Sequence, residues 1–160
     1  MLKNLLVGLL SFSFIFNQNT INEYSNIKKY FSRTNEIVIV CDNNYIICDN
    51  NNCEKIKNSI NDICINSYEM PALGVSIHEQ TIEYMKKGLW LIFKYNNTQY
   101  HNGMPFDELL IEVNPDYYGF NIIRKYKGRY DGRCYYINLN NDMGKLFDAL
   151  RSIYATYKKC

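Results

Sequence analysis

The chain has little net charge, few prolines and few histidines. Its 18 Lys and Arg side chains against 16 Asp and Glu give a formal net charge of +2 over 160 residues. This balance argues against a protein that binds nucleic acid or an anionic membrane through its overall charge. No apolar run approaches the roughly 20 residues of a membrane-spanning helix, and no repeat or linker divides the chain. The sequence therefore predicts one domain with a sizeable core and no membrane span in the mature chain.

The shortage of histidine limits the metal and catalytic chemistry that the sequence suggests. His78-Glu79 does not continue to the HExxH zinc motif, because position 82 is isoleucine. Cys48 and Cys53 lack the CxxC spacing of a zinc knuckle, and no histidine lies near them in the sequence. The glycines do not have the spacing of a phosphate-binding loop. The sequence therefore predicts neither a metal site nor a cofactor.

The longest apolar run lies near the N-terminus. Lys3 is followed by the apolar run Leu5–Phe16, which has the length of the hydrophobic region of a secretory signal. We interpret residues 1–19 as an export signal, which predicts a secreted or periplasmic protein whose mature domain spans residues 20–160. The following residues lack the small-x-small pattern of a cleavage site, so a buried N-terminal helix is the alternative.

Six cysteines suit an exported chain, in which disulfides persist. The sequence does not choose among their pairings. A four-residue hairpin loop Asn43–Ile46 would place Cys41 opposite Cys48, whereas a two-residue Asn43-Asn44 turn would offset the two diagonally. The alternative is that the cysteines are buried free thiols, packed as small apolar side chains.

The clearest pattern lies in the second half of the chain. Between Met104 and Asn140, three runs rich in β-branched and aromatic residues are separated by two turn clusters, which is typical of an antiparallel meander. The odd positions of the first run are apolar and alternate with polar positions, so they should face the core. Opposed residues of an antiparallel pair share a face. The apolar face therefore carries Leu109, Ile111, Val113, Tyr118, Phe120, Ile122, Tyr135, Ile137 and Leu139.

The first turn of the meander sets the register of its first hairpin. A four-residue turn Asn114–Tyr117, with proline second as a type I turn prefers, pairs Leu109 with Ile122. The same register places Asp107 opposite Arg124, and we expect these two side chains to form an ion pair at the edge of the apolar face.

The second hairpin has two possible turns. A four-residue loop Arg129–Gly132 would pair Ile122 with Leu139. The alternative is a two-residue turn at Asp131-Gly132, which is the stronger local hairpin signal. Both turns keep the same side chains on the apolar face.

The remaining segments group strands and helices in blocks, which favours the α+β class. The predicted fold is an antiparallel meander of about five strands over residues 89–139, covered on one face by amphipathic helices, with an N-terminal β-hairpin. Ser76 and Glu79 have the spacing of a capping box that begins the third helix. The other expected elements are a hairpin of Glu36–Cys41 and Tyr45–Cys48, helices at Ile21–Phe31, Cys53–Asn66, Ile77–Lys87 and from Met143, strands Leu89–Tyr95 and Thr98–His101 joined by an Asn96-Asn97 turn, and a loop Tyr68–Gly74.

The face of the meander that the helices leave open is the candidate binding surface. It should be the largest rigid surface available to a partner, and it mixes aromatic and arginine side chains, which dominate binding hot spots. Its cationic character favours an acidic partner, which we expect to be a protein or a glycan. The predicted site consists of Lys125, Lys127, Arg129, Tyr130, Arg133 and Tyr136.

No motif in the sequence is specific for one activity. The leading hypothesis is a small exported, non-catalytic binding domain. One alternative is a thiol-dependent hydrolase, in which His101 would be the base for a Cys134 nucleophile. The other is an intracellular, immunity-type interaction protein whose N-terminal segment is a core helix.

Overall fold

The computed structural model of the protein describes residues 27–158. The predicted export signal at residues 1–19 and most of the predicted helix at residues 21–31 lie outside the described residues. Both remain predictions from the sequence.

Residues 27–158 form one antiparallel sheet of seven strands together with four helices. The strand order across the sheet is β2-β1-β4-β5-β6-β7-β3. In chain order the elements are α1 (Lys29–Ser32), β1 (Glu36–Cys41), β2 (Asn44–Ile47), α2 (Asn50–Ile63), β3 (Tyr68–Ser76), α3 (His78–Met85), β4 (Leu89–His101), β5 (Met104–Glu112), β6 (Gly119–Lys125), β7 (Gly132–Asn138) and α4 (Gly144–Tyr157).

The α+β class and the antiparallel sheet are confirmed, but the sheet is larger than the predicted meander. The N-terminal hairpin is not separate, because β1 pairs with β4 along six residue pairs. At the opposite edge, β3 pairs with β7. The predicted loop Tyr68–Gly74 is therefore wrong. Pro71 suggested a loop, but an edge strand tolerates proline because its outer N–H groups need no partner.

Strand β4 is longer than predicted. It runs through Asn96-Asn97 without reversing, and its pairing with β5 shifts register between Lys94 and Gln99. The chain reverses instead at Asn102-Gly103, where φ is +49° and +75°. Two successive positive φ angles are those of a type I′ turn, for which Asn-Gly is the preferred sequence. The predicted Asn96-Asn97 turn is therefore wrong.

The first hairpin also has a two-residue turn of this kind. Asp42-Asn43 has φ angles of +47° and +64°, and the turn pairs Cys41 with Asn44. The backbone N–H of Cys48 donates to the carbonyl of Ile37, at the far end of β1. Cys41 and Cys48 therefore lie at opposite ends of the hairpin, and the four-residue loop that would have placed them opposite each other does not form.

The register of the meander differs from the prediction by an even number of residues. Leu109 lies opposite Arg124, and Ile122 lies opposite Tyr135. The second hairpin reverses at Lys127-Gly128, where both φ angles are positive, so neither predicted turn is correct. Because side chains alternate with a period of two, an even shift leaves each of them on its predicted face.

The predicted ion pair between Asp107 and Arg124 is absent. Arg124 is buried, and its Nε and Nη1 atoms donate to the carbonyls of Arg133 and Pro105 at 2.9 Å each. The Asp107 carboxylate instead accepts a hydrogen bond from the backbone N–H of Lys127 at 3.0 Å. The two-residue shift in register therefore gives both groups backbone partners.

The larger core lies on the predicted apolar face, which we call the inner face. Helices α1, α2 and α4 contribute Phe31, Ile56 and Leu150 to it, and the buried side chains of β4–β7 include nearly all those expected. Tyr118 is the exception, since it is 60% exposed and lies before the start of β6. Helix α4 begins at Gly144, close to the expected Met143.

A second, smaller core lies on the opposite face, which we call the outer face. It contains Val38, Val40, Met85, Trp90, Ile92, Leu110 and Tyr130. Met85 and the buried Thr81 belong to α3, so this helix covers part of the face that was predicted to be open. The helix ends at Met85 with Lys86 as its C-cap, and Gly88 follows with a φ of +77°. The predicted capping box is wrong, because the Ser76 hydroxyl donates to backbone carbonyls of Tyr130 and Gly132.

Among residues 27–158, no helix combines the length and the apolar character that crossing a membrane would require.

Candidate functional site

The predicted binding surface does not form as one exposed patch. Tyr130 is only 3% exposed and belongs to the outer-face core. Its backbone N–H donates to His78 Nδ1 at 3.1 Å, and the His78 ring stacks on its ring. Tyr130 lies two residues before β7, beneath the N-terminal end of α3, and it is a packing residue of the outer-face core and not part of an exposed surface.

Two cations of the predicted surface have partners within the chain. Lys125 Nζ lies 2.9 Å from Glu108 Oε1 and 5.3 Å from the centre of the Tyr130 ring. Arg129 forms ion pairs with Glu79, at 3.1 Å, and with Asp131. These contacts offset the positive charge that favoured an acidic partner. The exposed Lys127 and Arg133 do not line the cleft described next.

Tyr136 is the predicted site residue that borders a cleft. Together with Asn121 and Ile123 it forms the floor of a long cleft on the outer face, and Tyr84 of α3 forms part of the wall. We call this cleft the outer groove. Strands β6 and β7 supply its floor because their outward side chains lie between α3 and the β5–β6 loop.

The apolar end of the outer groove lies between α3 and the edge strand β3. It is a cavity of about 450 Å³ whose lining is mostly apolar. The pairing of β3 with β7 is irregular between Pro71 and Val75, and this stretch leaves Leu73 fully exposed and Val75 68% exposed. Cys134 also lines this end. The groove therefore ends at an apolar edge that the described part of the chain leaves uncovered.

The polar end adjoins the apolar end and has a volume of about 540 Å³. Gly119 is required here, because a Cβ at this position would lie 2.6 Å from the carbonyl oxygen of Ile137 and would also clash with the Tyr136 ring. The absence of a side chain lets Tyr136 lie over the start of β6. The polar end is lined by Trp90, Glu112, Asp116, Tyr117, Tyr118 and Tyr136.

Glu112 is a half-buried carboxylate in this polar end. It lies opposite Trp90 in the pairing of β4 with β5, on the outer face. Within residues 27–158 its carboxylate makes no hydrogen bond and no ion pair, and burial raises the pKa of the carboxyl group. An unpaired carboxylate that is partly desolvated is a group that a ligand can stabilise.

Cys134 and His101 are not brought together. Cys134 faces the outer groove, whereas His101 packs on the inner-face ring of Tyr135 at 4.5 Å between ring centres. His101 Nε2 lies 2.9 Å from Glu69 Oε1, and burial raises the pKa of the Cys134 thiol. The sheet separates the proposed base from the proposed nucleophile, so this arrangement is unable to activate Cys134 as the hydrolase alternative requires.

The cysteines of the described part of the chain are free thiols, namely Cys41, Cys48, Cys53, Cys64 and Cys134. Burial raises the pKa of Cys48 to about 12 and that of Cys64 to about 11, which makes both unreactive at neutral pH. Within residues 27–158, no group of three or more His, Cys, Asp and Glu side chains is arranged to hold a metal ion.

Sequence reasoning missed Tyr84, Trp90 and Glu112 as members of the site. The alternation of β4 and β5 already assigns Trp90 and Glu112 to the outer face. The missing information was that α3 crosses this face, since only the helix converts a flat sheet surface into a groove.

Comparisons of this chain with protein-family models, curated proteins and solved structures found no match. Its function is therefore argued from the geometry of the outer groove.

Proposed function

We propose that this protein is a non-catalytic binding domain that captures an extended segment of a partner protein in the outer groove. The observation that carries the proposal is an apolar cavity of about 450 Å³ that opens beside exposed apolar side chains and continues into an aromatic-lined polar end. Cavities of this size hold ligands or anchoring side chains, typically within a range of about 300–1,000 Å³.

The shape of the groove favours an extended chain over a small molecule. The apolar and polar ends share Tyr84, Asn121, Ile123 and Tyr136, so one ligand can run through both. A small molecule in the apolar end would contact only the sides of Leu73 and Val75 that face the cavity, and it would leave the polar end empty. A peptide covers these side chains while one apolar residue fills the cavity, as in other peptide grooves beside a helix or an edge strand.

The lining side chains are suited to recognition. Tyr84 is 64% exposed, Tyr117 45% and Tyr118 60%, and each ring can contribute contact area and a hydroxyl group. Aromatic residues are enriched where proteins contact their partners, since their burial provides much of the binding energy.

The cellular compartment is a separate question. Export is proposed from residues 1–19, whereas the five free thiols favour the intracellular interaction protein. Binding in the outer groove is common to both. The mass of the chain recovered from its native source separates them, since loss of about 20 N-terminal residues identifies export.

The proposed function is tested with a random peptide library displayed on phage and selected on the immobilised full-length protein. We expect an enriched family of peptides that share an apolar residue. The Tyr84→Ala variant should bind these peptides about tenfold or more weakly, as for a typical hot-spot tyrosine.

The matched control is Tyr100→Ala, which removes a tyrosine that is 62% exposed on β4 and does not line the groove. Its affinity for the selected peptides should equal that of the wild type. The proposal is wrong if no family is enriched, or if the enriched peptides bind Tyr84→Ala as tightly as the wild type.

A further inference from the structure

We propose that the polar end of the outer groove is a subsite for a lysine or arginine side chain of the bound segment, with Glu112 as the ion-pair partner. This inference rests on the proposed function, because it specifies which segments the groove accepts. It reverses the charge expected from the sequence, which favoured an acidic partner for the cations near the second hairpin.

No donor of residues 27–158 reaches the Glu112 carboxylate. A Cβ added to Gly88 would lie 3.9 Å from Glu112 Oε1 and 3.9 Å from Trp90 Nε1, so the carboxylate and the indole border the same space. The indole N–H already donates to the Lys87 carbonyl at 2.7 Å. Trp90 is thus held as a wall of the site, and the carboxylate remains available to a ligand.

The charged groups around Glu112 leave the polar end negative. Asp116, on the β5–β6 loop, also lines it and forms no ion pair among the described residues. On the side of α3, Glu83 is paired with Lys86, and Lys87 lies along the same surface without an ion pair to Glu112. Among the described residues, the polar end is thus bordered by two carboxylates without an ion pair, and the one lysine without an ion pair lies along the adjoining surface beside Glu112. A cationic ligand group would offset the cost of holding Glu112 ionised in its half-buried position.

Aromatic rings complete the subsite. Tyr84, Tyr117 and Tyr118 border the polar end with much of each ring exposed. A cation is attracted to the face of an aromatic ring, and the planar guanidinium of arginine also stacks on it. The groove thus has a carboxylate and aromatic rings at one end and an apolar cavity at the other. This arrangement fits a segment that carries a basic residue at a fixed distance from an apolar residue.

The experiment repeats the peptide selection on the Glu112→Gln variant, which keeps the shape of the side chain and removes its charge. Wild-type protein should enrich Lys or Arg at a constant spacing from the apolar residue, and Glu112→Gln should enrich the apolar residue alone. In a selected peptide, norleucine in place of lysine should weaken wild-type binding about tenfold or more, the effect expected of a hydrogen bond to a charged group. The same replacement should change binding to Glu112→Gln little.

Stability measurements exclude a structural explanation. Glu112→Gln should melt at the wild-type temperature or above it, because the substitution removes an unpaired, partly desolvated charge. The control Asp148→Asn removes an exposed carboxylate on α4, on the opposite side of the sheet, and should leave both stability and peptide preference unchanged.

The outcomes separate this inference from the proposed function. An enriched apolar family without Lys or Arg, or a Lys and Arg preference that survives Glu112→Gln, overturns the cation subsite and leaves peptide binding intact. No enriched family overturns both. The cation subsite is also overturned if the wild type binds oligosaccharides on a glycan array and Glu112→Gln does not. A drop of several degrees in the melting temperature of Glu112→Gln would mean that the carboxylate has a structural role.

Discussion

Replacing Gly119 with alanine tests the packing that shapes the outer groove. The new Cβ would lie 2.6 Å from the carbonyl oxygen of Ile137, well inside van der Waals contact, and would clash with the ring of Tyr136. The half-buried ring can move, but the carbonyl belongs to β7 and moves only if β6 and β7 separate. Overpacking of this kind costs about 1–3 kcal/mol. We therefore expect the free energy of unfolding to fall by about 2 kcal/mol, equivalent to roughly 4–8 °C in melting temperature.

The measurement is thermal and urea unfolding followed by far-UV circular dichroism. Gly74→Ala is the matched control, because a Cβ there meets nothing within 4 Å. That substitution should be neutral or should stabilise the protein by up to about 1 kcal/mol, through the lower conformational entropy of the unfolded chain.

A double-mutant cycle divides the Gly119 clash between side chain and backbone. In a Tyr136→Leu background the ring contact is gone, so Gly119→Ala should cost less than in the wild type but still about 1 kcal/mol, because the Ile137 carbonyl remains. The reasoning is refuted if Gly119→Ala melts within a degree of the wild type, or if its cost disappears in the Tyr136→Leu background.

Three further predictions concern the rest of the chain. Glu69→Ala should lower the free energy of unfolding by about 2–3 kcal/mol, because the carboxylate accepts a hydrogen bond from the Ile27 backbone N–H at 2.7 Å and contacts the buried His101. Chemical denaturation measures this change, and an unchanged denaturation midpoint would contradict it. Burial raises the pKa of Cys48 to about 12, so its contribution to stability is complete below the usual thiol pKa of about 8.5 and is lost as pH rises toward 12. Melting temperatures should therefore fall faster with pH above 9 in the wild type than in Cys48→Ala, and parallel curves count against this. Deleting residues 1–19 should leave the melting temperature unchanged, and a drop of several degrees would place Leu5–Phe16 in the core.

Turn chemistry was only partly predictable from the sequence. Asn102-Gly103 and Lys127-Gly128 both form two-residue turns, yet Asn96-Asn97 and Asp131-Gly132 have similar local signals and do not. Each of these dipeptides indicates only that the chain can reverse at that position without steric conflict. Which turn forms depends on how the complete strands pair. The free energy of that pairing comes from residues distant from the turn.

The candidate site shows the same limit more strongly. Tyr136 was identified because alternation in β7 places it on the outer face. Tyr130 was assigned to the same surface, but the helix that buries it lies some 50 residues away in the sequence. The helical pattern of α3 indicates its apolar side and does not indicate which face of the sheet that side covers.

The sequence by itself determined the α+β class, the antiparallel sheet and the side of the sheet to which most core side chains belong. These features follow from the periodicity of apolar residues. A register shift by an even number of residues keeps each side chain on the same face, because side chains alternate with a period of two. Only the tertiary structure decided that β3 joins the sheet beside β7, that α3 crosses the outer face, and that the Glu112 carboxylate lies in a groove where no other described residue pairs with it. These features arise from contacts between segments far apart in the chain, which no local pattern of residues encodes.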